Sequence, residues 1–254
     1  MLLCFKKMSR RKSSRTAGKR RFRLVSYILR VTLFAAFCFV LCSIILVAAL
    51  KHINPPTSMF MVKRQLEGLV HEDRSWKIDY QWVDWDNISP HMALSVVASE
   101  DQKFLNHWGF DFQSIREAIE ERITQGRVRG ASTITQQTAK NLFLWEGRSY
   151  LRKGVEAWFT VLIETFWSKQ RILEVYLNVA EFGDGIYGVY SASMHFFQNS
   201  PSNLTRREAA LMASVLPNPK IYAVSAPSTY VQQRSSEIML QMNNLGDFHL
   251  KEIK

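Results

Sequence analysis

Residues 130–144 read GASTITQQTAKNLFL, which is the spacing of a helix whose regular stripe is polar where a core helix would be apolar. Helical neighbours lie three and four positions apart. Thr133, Gln136, Gln137, Lys140 and Asn141 therefore share one face, and Ile134, Ala139 and Leu142 fall largely elsewhere. Gly126 and Gly130 bracket a basic turn with Arg127 and Arg129, and Ser132 or Thr133 supplies the N-cap. A solvated helix face is usually built from Glu and Lys, whereas this one is made of amides and hydroxyls with a single cation. Such groups hydrogen-bond a polar ligand and leave one point charge for an anion, so the stretch reads as the wall of a binding groove.

Charge is distributed in a way that sets the domain plan. Eleven of the 33 lysines and arginines fall in residues 1–30, which hold no acid, so the remaining 22 match the 22 acids of the chain. The net charge of +11 thus belongs to an N-terminal arm and gives no argument for nucleic-acid binding by the rest. Residues 31–50 then run for 20 positions without a charge, broken only by Thr32 and Ser43, and about twenty apolar residues cross a bilayer core. The run is too long for a signal-peptide core, and Lys51, His52, Ile53, Asn54 and Pro55 make a poor cleavage context. A signal anchor with its N-terminus in the cytoplasm follows from the cations before it and the lone Lys51 directly after. Cys4, Cys38 and Cys42 all precede the exported part, which rules out disulfides and cysteine metal sites there.

Beyond the anchor, residues 51–88 form a membrane-proximal segment with mixed charge and aromatics (Trp76, Tyr80, Trp82, Trp85) and no clear period. Residues 89–254 read as one mainly α-helical domain. Ser89 and Pro90 start a helix that buries Met92, Ala93, Val96 and Val97 and ends at Glu100 and Asp101, two carboxylates where a helix disfavours negative charge. Asp111 caps a helix with Phe112, Ile115, Ile119 and Ile123 on one side. Ser149 opens another with Leu151, Val155, Trp158, Leu162 and Phe166 at core spacing, and Ser168 a further one burying Ile172, Leu173, Tyr176 and Leu177. Gly183, Gly185 and Gly188 predict a flexible connection. Thr205 and Glu208 form a capping box, and a last helix covers residues 230–245.

Five blocks now stand in order. They are Glu100-Asp101-Gln102-Lys103-Phe104 with His107-Trp108-Gly109-Phe110-Asp111, the Gly130 to Asn141 stretch, Arg152-Lys153-Gly154-Val155-Glu156, Lys169-Gln170-Arg171-Ile172-Leu173-Glu174-Val175-Tyr176-Leu177-Asn178, and Arg207-Glu208-Ala209-Ala210. Together they resemble the peptidoglycan glycosyltransferases of family 51 over roughly residues 90–220. The nearest likeness is to monofunctional members, since no KTG motif follows and the lone SxxK, from Ser9 to Lys12, lies in the basic arm.

The resemblance implies a lysozyme-like fold behind a single transmembrane helix in the bacterial inner membrane, with the catalytic domain periplasmic. It implies polymerisation of lipid II, in which the 4-hydroxyl of the acceptor attacks the anomeric carbon of a chain linked to polyprenyl pyrophosphate and gives a β-1,4 bond with inversion. Glu100 is then the base. Glu156 takes the second acidic position, which assists acceptor placement or meets a divalent cation such as Mg or Mn; no organic cofactor is required. Lys140, Arg148 and Arg152 face the pyrophosphate, and Asp101, Phe104, Ser132, Thr133, Gln136, Gln137 and Asn141 complete the substrate site. Lys169 is a donor contact or only a cation near a helix start. His107 shapes the first block, and Asn178 and Arg207 brace the fold. Lipid II, the growing glycan, the membrane and other cell-wall or cell-division proteins are the expected partners. Ala131, where relatives often carry Gly, and Tyr190-Ser191-Ala192, where Glu-Ala-Ala is usual, depart from the pattern. A lytic glycosidase and a non-catalytic cell-wall scaffold are the competing readings; the first needs a protonated acid and no pyrophosphate site.

Overall fold

The computed structural model describes residues 2–71, 77–126, 130–147 and 149–246, with the side chains of residues 2–22 and 71 left aside. Two compact units divide at Leu46 and Val47. The first is occupied by helix α1 (Leu2–Leu50), within which Arg23–Leu50 is long and apolar enough to cross a membrane. Leu33, Phe34 and Phe37 are each more than 60% exposed, as lipid-facing side chains would be. The charge-free run of residues 31–50 lies within this stretch, directly after Arg30.

In the second unit, the last turn of α1 is tied down. A helix end leaves its final carbonyls without partners. Here Trp167 Nε1 donates to Val47 O at 2.8 Å, and the Arg171 guanidinium donates to Leu50 O (3.0 Å), Ile53 O (2.9 Å) and the Asn54 side chain (2.9 Å). In the segment without a readable period, residues 59–71 form helix α2 (Met59–His71) and residues 79–80 form strand β1 (Asp79–Tyr80).

A small sheet replaces the flexible connection expected from the glycines. β2 (Glu181–Gly183) pairs antiparallel with β3 (Ile186–Tyr187), and β1 lies parallel on the other side of β3. The glycines are there for fit. Gly185, at φ +79°, lies so near the Lys77 carbonyl that a Cβ would come within 2.4 Å, and Gly188, at φ +81°, would put one 2.7 Å from the Asn178 carbonyl. Asn178 braces this region as expected, donating to Val83 O and accepting from Val83 N. Arg207, in contrast, is exposed.

The helical body is built around α3 (Pro90–Glu100), which is capped by Ser89 and buries seven consecutive residues from Met92 to Ala98. It packs on α9 (Arg206–Val215) and α10 (Thr229–Leu245) through Leu94, Ala98, Ala210, Ala213, Ile238 and Met242. Six apolar side chains removed from water are the main source of stability for this pair of contacts. On the other side, α5 (Ile134–Phe143) packs against α6 (Tyr150–Phe166) and α7 (Lys169–Val179), with Phe143 and Phe159 stacked at 4.3 Å. Two expected apolar stripes turn out otherwise. Helix α4 (Phe112–Gln125) has no buried residue, and its Phe112, Ile119 and Ile123 are exposed. On α6, Leu151 is exposed and the buried set is Glu156, Phe159, Thr160, Leu162, Ile163 and Glu164, because the first turn projects past its neighbours. α8 (Gly188–Phe197) carries the divergent Tyr190-Ser191-Ala192 beside β2 and outside the cleft described next.

Candidate active site

A cleft of about 940 Å³ opens between the C-terminal end of α3, the N-terminal half of α5, the first turns of α6 and the start of α10. Its centre is Glu100, the final residue of α3. Although a helix C-terminus disfavours negative charge, this end is held within the fold: the Glu100 side chain is only 13% exposed. Gln137 Nε2 donates to Glu100 Oε2 at 2.9 Å, while Tyr176 Oη donates to Gln137 Oε1 at 3.1 Å. The tyrosine thereby fixes which end of the amide faces the carboxylate. Glu100 Oε1 is buried and has no hydrogen-bond partner; the nearest cation is Arg234 Nη2, 3.7 Å away. Burial pushes the Glu100 carboxyl above the ordinary carboxylate range, Gln137 and Arg234 draw it back, and Asp101 pushes it up again.

Asp101 lines the same cleft, yet its lone pairs are used inside the protein. It accepts from His107 Nε2 at 2.9 and 3.0 Å and from the backbone N–H of Ile134 at 3.0 Å. A carboxylate at the first N–H of α5 is favoured by the helix dipole, and it joins the first block to the polar helix. Thr133 is the N-cap, and with Gln136 it forms a reciprocal box: Thr133 Oγ1 accepts from Gln136 N at 3.2 Å and Gln136 Oε1 accepts from Thr133 N at 3.0 Å. Thr133 Oγ1 also donates to Gly109 O at 2.7 Å. Both residues line the cleft, but their principal bonds hold the start of α5 in place. Ser132 and Ala131 lie on the wall beside them.

One turn further along α5 from Gln137 stands Lys140, half-buried, with Nζ 5.3 Å from the centre of the Phe60 ring. Burial lowers its ammonium from the usual lysine value; Glu156 opposes that and Arg152 adds to it. From α6, Arg152 and Lys153 reach the cleft on either side of Glu156, at i−4 and i−3. Arg152 Nη1 donates to Glu156 Oε2 at 2.9 Å, and Lys153 Nζ donates to Oε1. Three cations therefore face one carboxylate, a net positive end with room for an anion. Among the described residues no group of three or more His, Cys, Asp or Glu side chains stands close enough to hold a metal, and both Glu156 oxygens are taken by cations. The residues present do not fit a divalent ion at Glu156, and no step is routed through one.

Three expected substrate residues stand elsewhere. Phe104 is fully buried, its ring under Lys169 Nζ at 4.6 Å and edge-on to His107. Lys169 Nζ donates to His107 O and Glu164 Oε1, both at 2.8 Å, so it neutralises a buried acid that also accepts from Thr135 Oγ1 at 2.6 Å. Asn141 is not on the cleft wall. Arg148 lies outside the described residues, as do Arg127, Arg129 and Trp76. Conversely, Lys153, Tyr176, Tyr230 and Arg234 were missed. Lys153 could have been found from its i, i+3 spacing to Glu156; Tyr230 and Arg234 come from α10, whose sequence carries no signal for the cleft.

Comparison with known proteins agrees with this geometry. Residues 69–243 match the transglycosylase family model. The chain is 48% identical over 225 residues to the biosynthetic peptidoglycan transglycosylase of Pseudomonas fluorescens, an alignment covering 88% of this chain and 92% of that one. It is 45% identical to that of Mannheimia succiniciproducens (96% and 95% covered) and 56% identical to that of Escherichia coli (75% and 79% covered). With the model matching well over half of the chain, the chain belongs to the transglycosylase family.

Proposed function

We propose that this protein is a monofunctional peptidoglycan glycosyltransferase that lengthens glycan strands from lipid II. The observation that carries the reading is the pairing, in one cleft, of a buried carboxylate with a free oxygen and a cluster of cations, Lys140, Arg152 and Lys153, on its wall. Family membership supports the activity, and the residues supply the chemistry. Glu100 Oε1 takes the proton of the acceptor 4-hydroxyl as its oxygen bonds to the donor anomeric carbon. The bond from that carbon to the pyrophosphate oxygen breaks, and the electron pair leaves with the polyprenyl pyrophosphate. Lys140 and Arg152, with Lys153 beside them, stabilise the charge that gathers on the leaving group. A single displacement inverts the anomeric centre and turns an α-linked donor into a β-1,4 bond.

Burial of Glu100 by itself would also serve a lytic enzyme, which needs a carboxylic acid with a raised pKa. Its neighbours favour the base. An N–H donor on Oε2 and a cation near Oε1 both stabilise the carboxylate form. The cationic end of the cleft, too, has a role only where a pyrophosphate departs. The basic arm and apolar helix fit an inner-membrane anchor with the N-terminus cytoplasmic and the domain on the outer face, where lipid-linked sugars are joined.

The test is to incubate detergent-solubilised protein with labelled lipid II and follow product length together with released polyprenyl pyrophosphate. Lengthening with pyrophosphate release, lost in Glu100→Gln, is the expected result. Shortening of preformed glycan instead would replace this reading with the lytic one, and absence of both activities would leave a scaffold.

A further inference from the structure

We infer that Arg234, which comes from α10 and lies outside the five sequence blocks, is a positioning residue that keeps Glu100 ionised with one oxygen free to receive a proton. The inference rests on the polymerase reading above and concerns the same cleft.

The argument begins with distance. Arg234 Nη2 stands 3.7 Å from Glu100 Oε1, inside ion-pair range and beyond hydrogen-bond range. The cation therefore stabilises the carboxylate without occupying its lone pair, and Oε1 is left buried with no hydrogen-bond partner. The Glu156 carboxylate shows the alternative: both oxygens are held by donors, and nothing is spare. A base needs the first arrangement. An incoming hydroxyl meets an oxygen that can accept, beside a charge that offsets the cost of holding that oxygen away from water.

Arg234 is built for this place. Its Nε is likewise buried with no hydrogen-bond partner, its guanidinium pairs with Glu100, and α10 is anchored beneath it by Ile238 and Met242 against α3, the helix that carries Glu100. The two groups are thus set on helices that pack on each other, which fixes their separation. Around Glu100 the charged and titratable groups are Asp101 on its own segment, Tyr176 from α7 and Arg234 from α10; Tyr222, in the connection before α10, faces Arg234. Burial holds Tyr176 neutral, well above the ordinary tyrosine value. Tyr222 is raised as well, by desolvation first, with its neighbour Tyr230 adding to the rise and Arg234 opposing it, and Asp101 acts against ionisation of its neighbour. Arg234 is the one cation acting on Glu100 among the described residues.

The sign of the effect is definite. Polymerisation by a carboxylate base fails as pH falls through the Glu100 pKa, and losing a nearby cation raises that pKa. The acid limb of the kcat profile for lipid II polymerisation should therefore move up by about one pH unit in Arg234→Gln, with kcat on that limb down about tenfold, while Arg234→Lys brings the limb most of the way back. A limb that stays in place in Arg234→Gln, or a Lys variant that behaves like the Gln variant, overturns the role. Should Arg234→Gln be too unstable for kinetics, a thermal-unfolding cycle with Glu100→Gln decides: Arg234→Gln should cost less stability when Glu100 is already neutral, and equal cost in both backgrounds overturns the pairing. Wild-type protein that makes no polymer at any pH would remove the underlying reading, whereas polymer with an unmoved limb removes only the role of Arg234.

Discussion

Glu100 and Glu156 face the same cleft from the ends of two helices, and their surroundings differ in every respect that matters to proton transfer. Glu100 closes α3, at the end of a helix where the dipole disfavours negative charge, and it has one hydrogen-bond donor and one distant cation. Glu156 lies in the second turn of α6, nearer the favourable end, and carries Arg152 and Lys153 on its two oxygens. Burial leaves the first carboxylate raised in pKa with an open lone pair. The second is spent in ordering two cations, which makes it a support for the anion site rather than a reagent. Under the proposed reaction, the two acids divide into a base and a brace through their partners.

Breaking each side of this comparison should give unequal results. Glu100→Gln removes the proton acceptor and should lower turnover by about a thousandfold, read as pyrophosphate release. Glu156→Gln should lower kcat/KM for the donor by roughly ten- to a hundredfold, because Arg152 and Lys153 lose the group that aims them. That loss should fall mainly on donor KM, with the acid limb of the pH profile unmoved. A smaller effect tests the link behind Glu100. Tyr176→Phe deletes the hydroxyl that fixes the Gln137 amide, and turnover should fall by about three- to tenfold while donor KM holds.

Stability sharpens the same contrast with opposite signs. The Glu100 pKa is raised on folding, so the folded state holds its proton more tightly than the unfolded chain. Stability is therefore lost as pH rises from the ordinary carboxylate value through the raised one. Glu100→Gln should accordingly melt higher than wild type at neutral pH, by about 2 °C, with the gap closing as pH falls toward the ordinary value. Glu156→Gln leaves two cations facing each other without a counter-charge and should melt lower by a similar or larger margin, about 2–4 °C. Thermal unfolding at two pH values checks both.

Much of the helical frame was legible because its boundaries are chemical. The Ser89-Pro90 start, the Thr205–Glu208 box, the Ser149 and Ser168 caps and the Thr133 cap, one of two candidates for α5, all stand where their side chains allow. The sheet was not legible, since strands of two or three residues are too short to alternate. Neither was the exposed face of α4, because an apolar stripe shows that a face is hydrophobic and says nothing about what covers it.

The site divides along a similar line. Helical spacing put Gln137 and Lys140 on one face of α5, and the family resemblance joined them to Glu100, Arg152 and Glu156; all five line one cleft. Spacing cannot tell whether a polar group is free or already satisfied. Lys169 was expected as a cation and is one, but it is used by Glu164; Thr133 and Gln136 are polar and lie in the cleft, but they cap a helix. Arg234 required the fold itself, since only the packing of α10 on α3 brings it to Glu100.

The most direct test of the account is a side-by-side measurement of polyprenyl pyrophosphate release from lipid II by wild type, Glu100→Gln and Glu156→Gln under saturating donor. The account predicts that saturation recovers much of the Glu156→Gln rate and none of the Glu100→Gln rate. Near-normal release by Glu100→Gln, with Glu156→Gln silent, would assign the base to the wrong carboxylate and contradict it.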